Sequence, residues 1–269
     1  MGQDQAMDDP ADPFSWKLWV YTNFDCNLRC AYCVAESSPR APRRELGLPV
    51  VRRIVDETAA LGFHELFFTG GEPFLLDDIY DMLAYAAPRL KTTVLTNGML
   101  LRGPRLERLR AVAHPNLTVQ VSLDGGCAEH RDAWRGAGTW IKTVRGIRAL
   151  QDAGFHVRLG TTATPANSAH LEQLRQFRRS MGIADEDHFV RPLARRGFAT
   201  EGAEVSVETL APEMTVTVDG VFWHPLASPS SADMLVSREI FPLSAAVTCI
   251  QEQLAHAAQG QPTERASFT

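Results

Sequence analysis

The sequence predicts an α/β protein built on a partial (β/α)6 barrel, with a small C-terminal extension made of a hairpin and a helix. Six short runs rich in β-branched and aromatic residues alternate with segments of helical periodicity. The runs begin 25 to 47 residues apart, which leaves room for a crossover connection between parallel strands. Six such units are fewer than a closed barrel contains, so we expect an incomplete, TIM-like barrel.

The six predicted strands are, in chain order, Leu18–Phe24, Glu65–Gly70, Thr92–Thr96, Leu117–Leu123, His156–Thr162 and His188–Leu193. One helix between them is marked by Ile141, Val144, Ile147 and Leu150 at helical spacing, with Gly154 as its expected C-cap. In folds of this kind the functional residues lie at the carboxyl ends of the strands. Residues that directly follow a strand are therefore the candidates for chemistry.

The alternation of strands and helices stops near residue 200. Met214–Val218 and Val221–His224 predict a hairpin, with Asp219-Gly220 as its two-residue turn. After a loop, Leu243–Ala258 predicts a helix with one apolar face. We therefore expect four segments: a flexible tail over 1–14, the partial barrel over 15–200, the extension over 201–258, and a second flexible tail over 259–269.

Composition places the chain among ordinary globular proteins. It has 269 residues, of which 45% are hydrophobic and 22% charged, and this balance excludes a disordered or fibrous chain. A net charge of −5 argues against a nucleic-acid partner, for which a basic surface is expected. No apolar run is long enough to span a membrane, and the polar N-terminus does not resemble a signal peptide. These features predict a cytoplasmic protein without a membrane partner.

Three of the five cysteines lie within eight residues, directly after the first predicted strand. Cys26, Cys30 and Cys33 have CxxxCxxC spacing, and thiolates this close together can hold one soft metal centre. Three cysteines can ligate three irons of a [4Fe–4S] cluster and leave the fourth iron open. Zinc is the alternative, although a structural zinc site needs four ligands and no fourth Cys or His lies nearby.

Short motifs follow the next three predicted strands as well. They are Gly70-Gly71-Glu72-Pro73, Thr96-Asn97-Gly98 and Ser122-Leu123-Asp124-Gly125, and a polar stretch over 130–139 comes next. Each motif alone is compatible with an ordinary turn or helix cap. Their order and their placement after strands, together with the cysteines, resemble the radical S-adenosylmethionine (SAM) superfamily over residues 16–200.

The resemblance implies a [4Fe–4S] cluster and SAM as cofactors, and an electron donor such as flavodoxin or ferredoxin. It implies that the reduced cluster cleaves SAM and that the resulting 5′-deoxyadenosyl radical abstracts a hydrogen atom from the substrate. The implied cluster ligands are Cys26, Cys30 and Cys33. The implied SAM contacts are Gly70, Gly71 and Glu72 for the ammonium, Ser122 for the ribose, Arg135 for the carboxylate and Tyr32 for the adenine. Arg191, at the end of the sixth strand, is a secondary candidate.

Two cysteines remain outside this motif, Cys127 and Cys249. Many superfamily members carry an auxiliary cluster in an extension of this kind, but two thiols cannot complete a four-cysteine site. We therefore expect a redox-neutral reaction. Either 5′-deoxyadenosine returns its hydrogen atom to the substrate radical, or a protonated thiol donates one from the opposite face and inverts the carbon. If the C-terminal helix crosses the barrel mouth, Cys249 points inward as this donor, and Cys127 instead packs at a helix start. The alternative for Cys249 is a small buried apolar residue.

This cysteine inventory also resembles the radical SAM epimerases of aminoglycoside biosynthesis. That resemblance implies inversion of a sugar carbon, C5‴, as in the conversion of neomycin C to neomycin B. An acidic protein attracts such a polycation, and the candidate contacts are Asp77, Asp78, Glu201, Glu204, Asp233 and Glu239. His224 is a weaker candidate, since packing in the hairpin is the favoured explanation for it. Two alternatives stay open: modification of a ribosomally made peptide, and a non-catalytic iron–sulfur or zinc protein.

Overall fold

The computed structural model describes residues 15–206, 209–227 and 231–258, with the side chains of 256–258 left out. Within these ranges the strands form one nine-stranded sheet in the order β6-β5-β4-β3-β2-β1-β7-β8-β9. The strands are β1 (Ser15–Tyr21), β2 (Glu65–Thr69), β3 (Lys91–Thr96), β4 (Leu117–Ser122), β5 (His156–Ala163), β6 (His188–Pro192), β7 (Glu213–Thr217), β8 (Gly220–Phe222) and β9 (Leu235–Ser237). The two predicted tails, 1–14 and 259–269, lie outside the described residues.

The first six strands are parallel to their neighbours and pair in sequence order, which confirms the open, partial barrel. The largest difference from the prediction is in β1, which begins three residues earlier and ends at Tyr21 instead of Phe24. Beyond Tyr21, Thr22 bonds to Thr69 and Asn23 pairs with Glu45, so the chain leaves the sheet to form the cysteine loop.

The helices are α1 (Leu48–Ala60), α2 (Ile79–Ala86), α3 (Pro104–Ala111), α4 (Ala128–Arg135), α5 (Thr139–Asp152), α6 (Leu171–Ser180) and α7 (Leu243–Ala258). In α5, Val144, Ile147 and Leu150 are buried as expected, and Gly154 has a φ of 82° after the helix end. The assignment of Ile141 to the buried face was wrong, because its side chain is 42% exposed. At about 100° per residue, Ile141 lies on the opposite side of α5 from Leu150, while Thr139 in the same turn is buried, so Ile141 points away from the packed face.

Alternate residues of the parallel strands face two different environments. One set, exemplified by Leu18, Val20 and Leu66, packs beneath the helices in the main apolar core. The other set faces the barrel interior and includes aromatic and polar side chains. There, the rings of Trp19 and Phe67 stack at 4.3 Å, and Trp19 Nε1 donates to the buried Glu213 carboxylate at 2.6 Å. The interior of the barrel is therefore partly polar.

The C-terminal extension continues this sheet. Strand β7 pairs with β1 in parallel, and β8 and β9 follow in antiparallel pairing. The predicted hairpin is present, but Thr217 pairs with Gly220, so the turn residues are Val218 and Asp219 rather than Asp219-Gly220. Gly220 opens β8, and a Cβ there would lie 2.1 Å from the carbonyl oxygen of Ser237 on β9. Glycine is required at this position because β8 and β9 approach each other closely, and not because the residue forms the turn.

Helix α7 has the predicted bounds, and Leu243, Ala246, Val247, Ile250 and Leu254 are buried on one face. Its first residue is anchored to α1, because the Leu243 N–H donates to Glu57 Oε2 at 2.7 Å. The guanidinium of Arg53 on α1 lies 4.0 Å over the ring of Phe241, just before α7. Among the described helices, none has both the length and the apolar character needed to cross a bilayer.

Candidate active site

A cavity lies at the carboxyl ends of the parallel strands, where the candidate residues were expected. Its wall includes eight of the ten side chains and glycines assigned to a site from the sequence: Cys26, Cys30, Cys33, Tyr32, Gly70, Gly71, Ser122 and Arg135. Glu72 and Cys249 are not among the described residues that line it. The sheet order brings these positions together, since each follows a different strand and all the strands run in the same direction.

The three clustered cysteines occupy one loop of this wall. All five cysteines of the chain are free of disulfides in the structure. Backbone N–H groups point at two of the clustered sulfurs, from Leu28 to Cys26 Sγ at 3.3 Å and from Ser37 to Cys33 Sγ at 3.4 Å. Burial raises the pKa of all three thiols, so thiolates there require positive charge beside them. Three free thiols on one cavity wall fit a metal cluster that has an open position.

The Gly70-Gly71 turn packs directly against the cysteine loop. Gly71 N–H donates to Asn23 O at 2.9 Å, and Glu72 N–H donates to Asp25 O at 3.0 Å. A Cβ on Gly71 would lie 2.0 Å from Asp25 O, and one on Gly70 would lie 2.4 Å from Asn23 O. Two glycines are therefore required for this contact, and they bring the backbone of the turn to the cavity wall beside the thiols.

Glu72 is fully buried behind that wall. Its carboxylate accepts hydrogen bonds from Thr96 Oγ1 at 2.8 Å, Asn97 N at 2.9 Å and Phe74 N at 3.2 Å. Burial raises the pKa of Glu72 to about 7, although these three donors act in the opposite direction. The carboxylate thus joins the turn after β2 to the turn after β3, while Gly70 and Gly71 contribute to the cavity surface.

A second buried carboxylate, Asp124, connects two of the predicted SAM contacts. The Tyr32 hydroxyl donates to Asp124 Oδ2, and the Arg135 guanidinium forms a close ion pair with the same carboxylate. Arg135 NH1 in turn lies 3.9 Å from Cys30 Sγ. Burial by itself raises the pKa of Asp124, but Arg135 outweighs it and holds this pKa below its ordinary value. The result is a connected chain of polar groups from β4 to the cysteine loop.

Arg131 supports this region from one helical turn earlier on α4. Its guanidinium is fully buried and donates to Thr143 Oγ1 at 2.6 Å and to Ser122 O at 3.3 Å. Sequence reasoning missed Arg131, although it precedes Arg135 by four residues and so shares its helix face. Asp124 belongs to the motif after the fourth strand, with a helix cap as its alternative role, but the sequence did not predict its pairing with Arg135 and Tyr32.

Comparison with known proteins identifies the family. The model of the radical SAM superfamily matches residues 20–177 of this chain. This chain belongs to the radical SAM superfamily. Its cofactors are accordingly a [4Fe–4S] cluster and SAM, and neighbouring structures contain bound SAM.

Two curated relatives show how far the similarity extends. An AdoMet-dependent heme synthase from Methanosarcina barkeri is 31% identical over 204 residues, which cover 75% of this chain and 56% of that protein. The mycofactocin maturase MftC from Mycobacterium tuberculosis is 31% identical over 183 residues, which cover 67% of this chain and 45% of MftC. The chain therefore spans about half the length of the curated relatives it matches.

Solved structures show the same fold. SuiB from Streptococcus suis, bound to SAM, aligns with 96% of this chain and 51% of its own at a TM-score of 0.59 and 17% identity. SuiB has also been solved with the precursor peptide SuiA. BtrN, in complex with AdoMet and 2-DOIA, aligns with 93% of this chain and 90% of its own at a TM-score of 0.51 and 17% identity.

The expected position of Cys249 was wrong. Helix α7 does not cross the mouth of the radical SAM barrel, since its apolar face packs toward α1 and β9 and its first turn is tied to Glu57. Cys249 lies off that face and is exposed. Cys127 is the N-cap of α4, as expected for a residue at a helix start, and its sulfur lies 3.5 Å from His130 Nδ1.

The acidic residues expected to contact a polycation also lie elsewhere. Of the six candidates, none belongs to the described cavity wall. Three of them pair with arginines: Asp77 with Arg108, Glu204 with Arg195, and Asp233 with Arg196. Asp78 accepts from the Leu48 N–H at the start of α1. Arg191, by contrast, does line the cavity, and His224 is buried beneath it with Nδ1 accepting from the Leu226 N–H.

Proposed function

We propose that this chain is the catalytic barrel of a radical SAM enzyme that modifies a ribosomally made peptide. The observation that carries the radical chemistry is the joint placement of three free thiols, the glycine turn and Arg135 on one cavity wall. Cys26, Cys30 and Cys33 would hold the cluster, and the open iron beside them would bind SAM. When bound, these cofactors supply a 5′-deoxyadenosyl radical that removes a hydrogen atom from carbon.

The protein residues of this proposal bind and orient SAM. The backbone at Gly70 and Gly71 is accessible to the ammonium, and the buried Glu72, whose pKa burial raises to about 7, adds negative charge behind it when it is ionised. Arg135 provides donors for the carboxylate, and Ser122 reaches the ribose at the end of β4. The Tyr32 ring, packed among Trp134, Leu193 and Ala199, forms an apolar surface for the adenine. These roles follow from the family resemblance, and the placement of Tyr32, Gly70, Gly71, Ser122 and Arg135 on one cavity wall supports them.

A peptide substrate is favoured by the relatives. MftC is named a maturase, and SuiB, whose fold covers nearly the whole of this chain, has been solved with a precursor peptide. An electron donor such as flavodoxin or ferredoxin belongs to the same proposal, because the cluster must be reduced before it can cleave SAM. A reducing cytoplasm belongs to it as well, because it keeps the cysteine ligands from forming disulfides.

A second candidate is epimerisation of an aminoglycoside, inverting C5‴ as in the conversion of neomycin C to neomycin B. The cysteine inventory supports it, since only Cys127 and Cys249 lie outside the cluster motif. The alignment with BtrN covers most of both chains, and the BtrN structure contains 2-DOIA. The shared fold therefore also supports this second candidate. In this mechanism Cys249 would have to approach the cavity from its exposed position on α7, so the donor role requires a movement of that helix.

One experiment separates the two candidates. Reduced enzyme is incubated with SAM in deuterated water, in parallel with precursor peptides that include SuiA and with neomycin C. A peptide substrate raises 5′-deoxyadenosine above the substrate-free level and changes the peptide mass. Neomycin C, if it is the substrate, gives an isomer carrying one solvent deuterium, and a Cys249→Ala variant loses that product while still forming 5′-deoxyadenosine.

The outcomes are distinct. Formation of the labelled isomer would replace the peptide proposal with the epimerase, and unchanged isomer formation by Cys249→Ala would remove this residue as the donor. SAM cleavage without modification of any probe would contradict both substrate classes. An exposed-residue variant on the same helix, Thr248→Ala, is the matched control because it keeps the buried face of α7 intact.

A further inference from the structure

We propose that Asp124 is the positioning residue that holds Arg135 and Tyr32 in place for SAM. Asp124 follows β4 and is 1% exposed. Besides the Tyr32 and Arg135 side chains, its carboxylate accepts from the Thr162 N–H at 3.0 Å, at the end of β5. One carboxylate therefore joins the cysteine loop, α4 and β5. The inference rests on SAM occupying the cavity as proposed above.

The two edges of the Arg135 guanidinium face different partners. Nε and NH2 face Asp124, whereas NH1 extends toward Cys30 Sγ at 3.9 Å. A guanidinium is a rigid planar fork, so anchoring one edge determines where the other edge points. Asp124 thereby directs the free edge of Arg135 toward the position beside the cluster ligands, where the SAM carboxylate would bind.

The same carboxylate restrains Tyr32 at the other end of the cofactor. Tyr32 lies between Cys30 and Cys33 in the sequence, and its ring packs with Trp134 at a centroid distance of 6.0 Å. Its hydroxyl bond to Asp124 limits rotation of the phenol away from this wall. Asp124 thus couples the side chain proposed for the SAM carboxylate to the one proposed for the adenine.

A purely local role does not account for this arrangement. The N-cap of α4 is Cys127, so the Asp124 side chain is not capping that helix. The loop contact with Asn167 uses the backbone carbonyl of Asp124 rather than its carboxylate. Asp132 is a carboxylate on the same helix with a purely local role. It accepts from Gly138 N at 2.6 Å, Thr139 Oγ1 at 2.9 Å and Trp140 N at 2.8 Å, all at the start of α5. Asp132 lies outside the described cavity wall.

The test compares SAM binding by cluster-loaded wild type, Asp124→Asn and the control Asp132→Asn. Dissociation constants are measured by equilibrium dialysis, and the electron paramagnetic resonance spectrum of the reduced cluster is recorded with and without SAM. Loss of a charge-assisted contact should weaken SAM binding of Asp124→Asn by about tenfold, while Asp132→Asn binds as wild type does. We also expect the SAM-dependent change in the spectrum to be altered in Asp124→Asn alone.

A double variant shows whether Asp124 acts through Arg135. Asp124→Asn combined with Arg135→Lys should bind SAM at most about threefold more weakly than Arg135→Lys alone, because the two-pronged pair with Arg135 is already lost and only the Tyr32 hydroxyl bond remains to be removed. Additive losses would overturn the proposal, as would wild-type affinity and spectrum in Asp124→Asn. If Asp124→Asn does not accumulate as folded protein, Tyr32→Phe provides the test: about threefold weaker binding is expected, and wild-type binding would overturn the coupling. Failure of the wild type itself to bind SAM would instead contradict the proposed function.

Discussion

Each buried carboxyl group at the carboxyl end of the barrel has its own charged or hydrogen-bonding partners. Asp124 is neutralised by Arg135, and Glu72 is held by three hydrogen-bond donors. His224 is a further buried titratable residue, with no exposed surface. Its Nδ1 accepts from the Leu226 N–H at 3.1 Å, which keeps the ring in a neutral tautomer. Such groups make stability depend on pH, but in opposite directions. The pKa values of Asp124 and His224 are lowered on folding, so the folded chain resists adding protons that the unfolded chain accepts. The pKa of Glu72 is raised, so the folded chain holds a proton there that the unfolded chain releases.

At the residue scale, we expect His224 to reduce stability in acid. Burial, followed by the nearby charge of Arg191, lowers the pKa of His224 from 6.5 to about 3. The unfolded state therefore binds more protons between these values, and the free energy of unfolding falls as the pH drops through this window. Unfolding midpoints at pH 7, 6 and 5 should decline less steeply in His224→Gln than in wild type. The exposed His170→Gln variant is the control, and identical slopes for His224→Gln and wild type would contradict the prediction.

Strand pairing and the C-terminal helix followed closely from sequence patterns, because each depends on local periodicity. The bounds of β2 to β6 lie within one residue of the predicted ones, and those of α7 are the same. The two exceptions have different causes. Gly220 was assigned to a turn although it serves the contact between β8 and β9. Ile141 was assigned to the core although it lies on the face of α5 opposite to Leu150, because steps of three residues drift around a helix.

Helix α5 illustrates how one element sets the position of the site. Thr143 Oγ1 donates to Asn97 O at 2.7 Å, so α5 is bonded to the turn after β3 that contributes Thr96 and Asn97 to the cavity wall. Helix α5 also contacts this turn at Gly146, where a Cβ would lie 1.9 Å from the carbonyl oxygen of Gly98. A glycine inside a helix ordinarily weakens it. Here it permits the helix to approach the backbone of the turn.

At the element scale, Gly146→Ala should therefore destabilise the protein, against the usual direction. Alanine in a helix interior ordinarily adds about 1 kcal/mol over glycine. Displacing α5 from the Gly98 carbonyl costs about 1–3 kcal/mol by overpacking, which should outweigh this gain and leave a net loss of up to about 2 kcal/mol. Chemical denaturation of the two proteins measures the difference, with the exposed neighbour Arg145→Ala as control. A more stable Gly146→Ala variant would show that the helix can shift without cost.

Across the whole molecule, the parallel sheet brings residues from distant segments to one edge. Cys30, Gly71, Ser122 and Arg135 are separated by up to 105 positions along the chain, yet all contribute to one cavity. A ligand that bridges these segments should stabilise the entire fold, since it binds only where they meet. The fold and the cofactor site are therefore thermodynamically linked.

At the scale of the whole molecule, SAM should raise the melting temperature of the cluster-loaded protein. At a SAM concentration about a hundredfold above its dissociation constant, the stabilisation is about 2.7 kcal/mol, which corresponds to about 5 °C for a chain of this size. Calorimetry under anaerobic conditions measures the shift. Cys30→Ser, which removes a proposed cluster ligand, should show no SAM-dependent shift, and an equal shift in that variant would contradict a site that depends on the cluster.

The sequence by itself determined the open parallel barrel, the family, and the cysteine spacing that is its metal-binding signature. These features are local, because periodicity and ligand spacing are properties of contiguous residues. Only the tertiary structure decided that Asp124 joins Arg135 to Tyr32, that Glu72 lies behind the cavity wall, and that Cys249 is exposed. Each depends on how a helix or loop docks against strands distant in the chain, and docking follows from packing and charge pairing that no single segment encodes.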